Sequence, residues 1–85
     1  MKVLDYTITD ELGLHARPAG LLVNASTRFD CKVTIKSGTK VVDGNSILGV
    51  MTLGLKQGDV LNMTFEGPEE EGAYNAVKAF VEENL

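Results

Sequence analysis

Short apolar segments with a period of two alternate along the chain with segments that have helical spacing. Residues 2–8, 32–37 and 59–66 carry apolar side chains at every second position, which is typical of strands that bury one face. Residues 40–42 follow closely on the turn 37–39, so we expect the second and third strands to form a hairpin. The positions assigned to the core face are Leu4, Tyr6 and Ile8, then Val33 and Ile35, then Leu61, Met63 and Phe65.

Three further segments have the spacing of helices. Residues 16–28 and a final segment each show an apolar stripe, and residues 47–53 are long enough for one to two turns. The final helix has carboxylates at 69–71, where they interact favourably with the positive end of the helix dipole. Glu82 and Glu83 lie unfavourably at the negative end, so we expect the helix to fray there. The predicted stripes comprise Ala19, Leu22, Val23 and Ser26 or Thr27, and then Ala73, Ala76, Val77, Phe80 and Val81.

This order of elements, β-α-β-β-α-β-α, predicts an α+β protein. Because all the helices need the same apolar sheet face, we expect an open-faced two-layer β-sandwich, a four-stranded antiparallel sheet covered on one face by helices. The length of 85 residues fits one domain, 1–85, with a single modest core. The other sheet face can contact water and carries Asp5, Lys32, Thr34, Lys36 and Asn62.

Composition and charge exclude several classes of function. A net charge of −4, from 8 basic and 12 acidic residues, leaves no basic stripe for nucleic acid. The single Cys31 cannot form an internal disulfide, which fits a reducing cytoplasm. We interpret it as a small apolar side chain at the start of a strand and not as a catalytic residue. One histidine and one cysteine, far apart, indicate no metal site, and no apolar run reaches the ~18 residues of a membrane span. We expect a cytoplasmic protein that needs no cofactor and does not insert into membranes.

The only histidine, His15, lies where the first helix should begin. Residues 9–13 read as a loop, and Pro18 is tolerated in a first turn because the N–H groups there have no intrahelical partner. The amides near Ala16 and Arg17 and the helix dipole form an anion site, and the same field favours a neutral, nucleophilic ring. Arg17 adds a planar guanidinium group, whose N–H donors match the spacing of phosphate oxygens. These groups suit a phosphoryl group carried on His15, although a lone histidine near a helix start is more often an ordinary surface residue.

The segment 13–18, Gly-Leu-His-Ala-Arg-Pro, resembles the active-site motif Gly-x-His-Ala-Arg-Pro of the HPr family, the histidine-containing phosphocarriers of the bacterial sugar phosphotransferase system. The resemblance implies the open-faced fold and a cycle in which His15, through Nδ1 in the family, accepts a phosphoryl group from phosphorylated enzyme I. The amide of Ala16 and the side chain of Arg17 would hold the phosphoryl oxygens. An enzyme IIA domain would then take the group, so the resemblance implies a carrier and not an enzyme with its own small-molecule substrate.

Ser46 precedes the short apolar helix, so its plain role is an N-cap worth about 1 kcal/mol. The segment 45–54 also resembles the regulatory-serine segment of Gram-positive members of the HPr family. The resemblance implies that an HPr kinase/phosphorylase modifies Ser46, which would weaken phosphorylation of His15 and create a corepressor for the catabolite control protein CcpA. Many members have a basic residue where this chain has Asn45, and proteobacterial relatives keep the serine without this regulation.

The short helix carries more apolar side chains than it can bury. Ile47, Leu48 and Met51 predict a docking patch beside His15 for phosphotransferase partners, and flexible Met51 suits a surface that accepts several of them. The alternative is that some of these side chains are simply core. Gly20 lies within the first helix at a penalty of roughly 1 kcal/mol relative to alanine, and it either allows close approach of a partner or is merely tolerated.

The expected partners are therefore enzyme I, enzyme IIA domains, HPr kinase/phosphorylase and the catabolite control protein, and we expect a monomer. Three alternatives stay open. A carrier of the nitrogen-related phosphotransferase branch would use the same His15 chemistry with a regulatory output. A corepressor that acts through Ser46 alone, similar to Crh, would lack the histidine, so His15 argues against it. An unrelated small α+β interaction module would carry the motif by chance.

Overall fold

The computed structural model describes residues 1–85 and confirms the predicted order of elements. The strands are β1 (Lys2–Thr7), β2 (Lys32–Ser37), β3 (Lys40–Asp43) and β4 (Val60–Glu66), and the helices are α1 (Ala16–Thr27), α2 (Ile47–Thr52) and α3 (Glu70–Asn84). The strands form one antiparallel sheet in the order β1-β4-β2-β3, so β1 and β3 are its edges. None of the helices combines the length and the apolar character that a membrane span requires.

The register of the sheet aligns the core positions across neighbouring strands. Leu4 of β1 pairs with Met63 of β4, which pairs on its other side with Ile35 of β2. All three side chains are buried, and the helices cover them. On the opposite face Asn62 pairs with Asp5 and with Lys36, so the polar positions line up where the sheet meets water, as the sequence predicts. The sheet is therefore covered on one face and open on the other.

Helices α1 and α3 lie side by side over this core. The predicted stripe of α1 is buried, and Ser26 belongs to it, since its hydroxyl donates to the carbonyl oxygen of Val23 at 3.0 Å. In α3 the side chains of Ala76 and Phe80 are only half-buried, because they face the groove between the two helices. The buried members of the α3 stripe are Ala73, Val77 and Val81.

The expectation that the end of α3 frays is wrong. The helix continues to Asn84, and the side chain of Leu85 is buried in the core. The carbonyl oxygen of Leu85 accepts hydrogen bonds from the N–H groups of Thr9 and Asp10, at 2.6 and 2.9 Å, and from the Thr9 hydroxyl at 2.8 Å. These contacts with the loop after β1 outweigh the unfavourable position of the glutamates near the helix end.

The loop that leads into α1 is held against the segment after α2. The N–H of Leu14 donates to the carbonyl oxygen of Leu55 at 3.0 Å, and both side chains are buried. Gly13 has a φ of +67° and packs so closely that a Cβ would lie 2.5 Å from the same carbonyl oxygen. The entry to α1 therefore requires a glycine, for both its conformation and its size.

We predict that Gly13→Ala destabilises the fold by roughly 2 kcal/mol or more, because it combines a strained backbone with a steric clash. Gly38→Ala is the matched control, since Gly38 has a similar φ of +59° but open space around it. That control should lose only about 1 kcal/mol. Urea unfolding of both variants measures the difference, and equal losses would contradict the close contact at Gly13.

Candidate functional site

His15 is the N-cap residue of α1, as the sequence predicts. Its backbone is extended, with φ −103° and ψ −172°, and its carbonyl oxygen accepts the first helical hydrogen bond from the N–H of Ala19 at 2.9 Å. The imidazole makes no capping hydrogen bond, and the residue is exposed. The ring is thus held at the start of a helix while both of its nitrogens remain available for chemistry.

The groups around the ring form an anion site. Since the first helical bond is donated by Ala19, the N–H groups of Ala16 and Arg17 have no intrahelical acceptor, and Pro18 has no N–H. Arg17 is exposed, and the only ion pair within 4.0 Å joins the Met1 amino group to Glu70. Two free amides, an unpaired guanidinium and the positive end of a helix dipole therefore lie around the imidazole.

His15 and Arg17 open onto the same shallow depression of about 210 Å³. Two polar residues on its rim were not predicted from the sequence, Asp10 from the loop after β1 and Asn84 from the end of α3. Neither belongs to the motif, and Asn84 is brought there by the packing of α3 against the loop. The lining consists of Asp10, His15, Arg17, Pro18, Leu21 and Asn84.

Ser46 is the N-cap residue of α2. Its hydroxyl oxygen accepts a hydrogen bond from the N–H of Gly49 at 3.1 Å. The side chain therefore caps the helix, which is the plain role that the sequence predicts for it. The residue is exposed, and its hydroxyl lies at the positive end of the short helix. A group attached there would face solvent.

Helix α2 packs against α1 and leaves three of its four apolar side chains at least partly exposed. Val50 is fully buried, whereas Ile47, Leu48 and Met51 are 44%, 78% and 41% exposed. We call these three exposed residues the α2 patch. Gly20 of α1 is half-buried, and a Cβ there would meet no atom within 4 Å, so packing within the chain does not demand a glycine at this position.

Cys31 does not have the environment of a reactive thiol. Partial burial raises the pKa of the Cys31 thiol, and the neighbouring charges of Asp30, Glu69 and Glu70 raise it further. The thiolate, which is the nucleophilic form, is therefore disfavoured. No three His, Cys, Asp or Glu side chains converge in a way that could hold a metal ion.

The fold and the site together describe a small α+β protein with one histidine exposed at the start of a helix. The family model for the PTS HPr component phosphorylation site matches residues 4–83. This chain belongs to the HPr family, the phosphocarriers of the phosphotransferase system.

Known relatives support the same assignment. The phosphocarrier protein HPr of Lysinibacillus sphaericus is 40% identical over 83 residues, which cover 98% of this chain and 94% of that protein. The crystal structure of HPr-C-His from Thermoanaerobacter tengcongensis has a TM-score of 0.90 and 38% identity, covering 96% of this chain and 92% of the other. Crh, a catabolite repression protein of Bacillus subtilis described as a dimer with a swapped domain, has a TM-score of 0.76 and 31% identity, covering 94% and 92%. The fold that the motif resemblance implied is confirmed.

Proposed function

We propose that this protein accepts a phosphoryl group on His15 from phosphorylated enzyme I and passes it to an enzyme IIA domain of a sugar transporter. The observation that carries the proposal is the exposed imidazole of His15, which has no hydrogen-bond partner of its own and lies beside two free amides. A surface histidine of this kind can be reached in turn by two macromolecules. The carrier works in the cytoplasm, in keeping with its lone cysteine.

The transfer requires no group beyond those at the site. The lone pair of a ring nitrogen of His15 forms a bond to phosphorus as the bond from phosphorus to enzyme I breaks, and the leaving group keeps that electron pair. The proton on the other ring nitrogen stays in place. The amides of Ala16 and Arg17 and the guanidinium stabilise charge on the phosphoryl oxygens, so catalysis consists of positioning and electrostatics. Transfer to enzyme IIA reverses the roles of donor and acceptor.

We predict that His15→Ala abolishes phosphoryl acceptance and leaves the fold stable, because the imidazole makes no capping bond. Intact mass is measured after incubation with phosphoenolpyruvate, magnesium and a bacterial enzyme I, before and after acid treatment. The wild type should gain one acid-labile phosphoryl group, which must lie on its only histidine. An HPr relative in the same tube confirms that enzyme I is active. Acceptance by the variant, or none by the wild type beside a phosphorylated relative, would contradict the proposal.

Arg17→Ala should slow phosphoryl acceptance by about 10- to 100-fold, the worth of a charge-assisted hydrogen bond to the transferring group. Stability should not change, since Arg17 is exposed and makes no ion pair in the chain. Arg17→Lys keeps the charge without the planar fork and should give an intermediate rate. Rapid-quench kinetics with enzyme I measures the three rates, and equal rates would remove Arg17 from the mechanism.

We also propose that partners dock on the α2 patch together with the surface around Gly20. Three exposed apolar side chains on one short helix offer the desolvated centre that a protein interface needs. The protein acts as a monomer in this scheme, because a partner must cover the patch and His15 at the same time. Sedimentation of the unphosphorylated protein tests the monomer against the dimeric arrangement described for Crh.

A second proposed function is regulation through phosphorylation of Ser46 by an HPr kinase/phosphorylase. The observation in its favour is that the exposed Ser46 hydroxyl adjoins the α2 patch. A phosphate there would add nearly two negative charges to an apolar docking surface, which would oppose the docking of enzyme I. The modified form would serve as a corepressor with the catabolite control protein.

We predict that Ser46→Asp slows phosphoryl acceptance from enzyme I by about tenfold or more, because it places a charge at the docking surface. Ser46→Asn is the matched control, since asparagine and aspartate cap helices about equally well and only the charge differs. The control should accept the phosphoryl group at the wild-type rate. Equal rates for the two variants would show that charge at this position does not govern docking.

A further inference from the structure

The depression at His15 contains one negatively charged side chain, that of Asp10. Its other polar members are His15, Arg17 and Asn84, and the remaining two are apolar. Glu82 and Glu83 line a neighbouring depression, to which Asp10 and Asn84 also belong. A phosphoryl group on His15 would therefore share its depression with Asp10, whereas Glu82 and Glu83 line only the neighbouring one.

Three hydrogen bonds hold Asp10 in place. Its N–H donates to the carbonyl oxygen of Leu85 at 2.9 Å, and its carbonyl oxygen accepts from the N–H of Gly13 at 3.0 Å. Its carboxylate oxygen Oδ1 accepts from the N–H of Leu12 at 2.8 Å. The Asp10 carboxylate is therefore held on a loop that is itself hydrogen-bonded to the end of α3, and its position beside a bound anion is restricted.

Neither cation at the site neutralises this carboxylate, since no nitrogen of His15 or Arg17 lies within 4.0 Å of an acidic oxygen. A phosphohistidine brings nearly two negative charges into the same depression. Arg17 and the free amides attract that charge, and Asp10 repels it. A carrier must release the phosphoryl group as readily as it accepts it. A negative charge beside the group favours release, whereas additional positive charges would bind the group more tightly and oppose release.

We propose that Asp10 is a positioning residue whose fixed negative charge weakens the hold of the site on the phosphoryl group and so sets how readily His15 gives it up. The inference rests on the proposed phosphocarrier function and names a residue outside the family motif. Asp10 acts through space on the phosphoryl group and touches neither reacting atom. Its removal should shift the transfer equilibrium towards the phosphorylated carrier.

The test is a competition between two carriers for one phosphoryl group. Isotopically labelled wild type and unlabelled Asp10→Asn are mixed with catalytic enzyme I and limiting phosphoenolpyruvate, and intact mass gives the phosphorylated fraction of each at equilibrium. In each exchange the nitrogen–phosphorus bond of one carrier breaks and that of the other forms, by way of enzyme I. Asparagine keeps an oxygen that accepts from the N–H of Leu12, so the loop is preserved. We expect the variant to hold the phosphoryl group about fivefold better.

Two controls distinguish the effect of a negative charge at position 10 from the general effect of removing one negative charge from the protein. Glu11→Gln makes the same change in net charge at an exposed neighbour outside the depression, and it should partition evenly with the wild type. Raising ionic strength from about 0.01 M to about 1 M shortens the Debye length from roughly 30 Å to 3 Å, so the preference of Asp10→Asn should shrink. A preference that survives high salt unchanged would show a structural role and overturn the proposal.

Failure of this inference is distinguishable from failure of the proposed function. If both carriers are phosphorylated and share the group evenly, or if Glu11→Gln shifts the balance as much as Asp10→Asn, the role of Asp10 is overturned and the carrier function stands. If neither is phosphorylated while an HPr relative in the same tube is, the carrier function itself fails, and the role of Asp10 fails with it.

Discussion

Burial of a single sheet face is the constraint on which this structure depends. The core side of β4 carries Leu61, Met63 and Phe65, all fully buried, and each of the three helices contributes side chains to the one core on that side of the sheet. A chain of 85 residues has no material for a second core or for walls around a cleft. Functional side chains must therefore lie at the surface, where the chain leaves the core, and the start of α1 is one such position.

The site combines an exposed reactive group with a buried support. His15 faces solvent, but the residue before it, Leu14, is buried and hydrogen-bonded to Leu55. Gly13 allows the loop to pass close enough for that contact. The imidazole is consequently held in one place by packing that no partner needs to supply, and this preorganisation reduces the ordering that each docking event would otherwise require.

The features that could be predicted from the sequence are those governed by local rules. Alternating side chains located the strands, and Pro18 placed the start of α1 so that His15 became its N-cap. Asp10 and Asn84 could not be found in this way, because α3 brings them together across most of the chain length. The burial of Leu85 was missed for the same reason: dipole arguments at Glu82 and Glu83 are local, whereas the hydrogen bonds that Leu85 accepts from Thr9 and Asp10 are not.

The small size of α2 has a consequence for how such a protein can diversify. Its six residues commit one side chain, Val50, fully to the core and leave Leu48 largely in solvent, whereas Ile47 and Met51 are partly buried. Substitution of Leu48 removes little buried surface, so it alters the free energy of unfolding only slightly. If partners dock on the α2 patch, as we propose, changes at Leu48 would alter the choice of partner, whereas the stability of the fold depends on Val50 in the same helix.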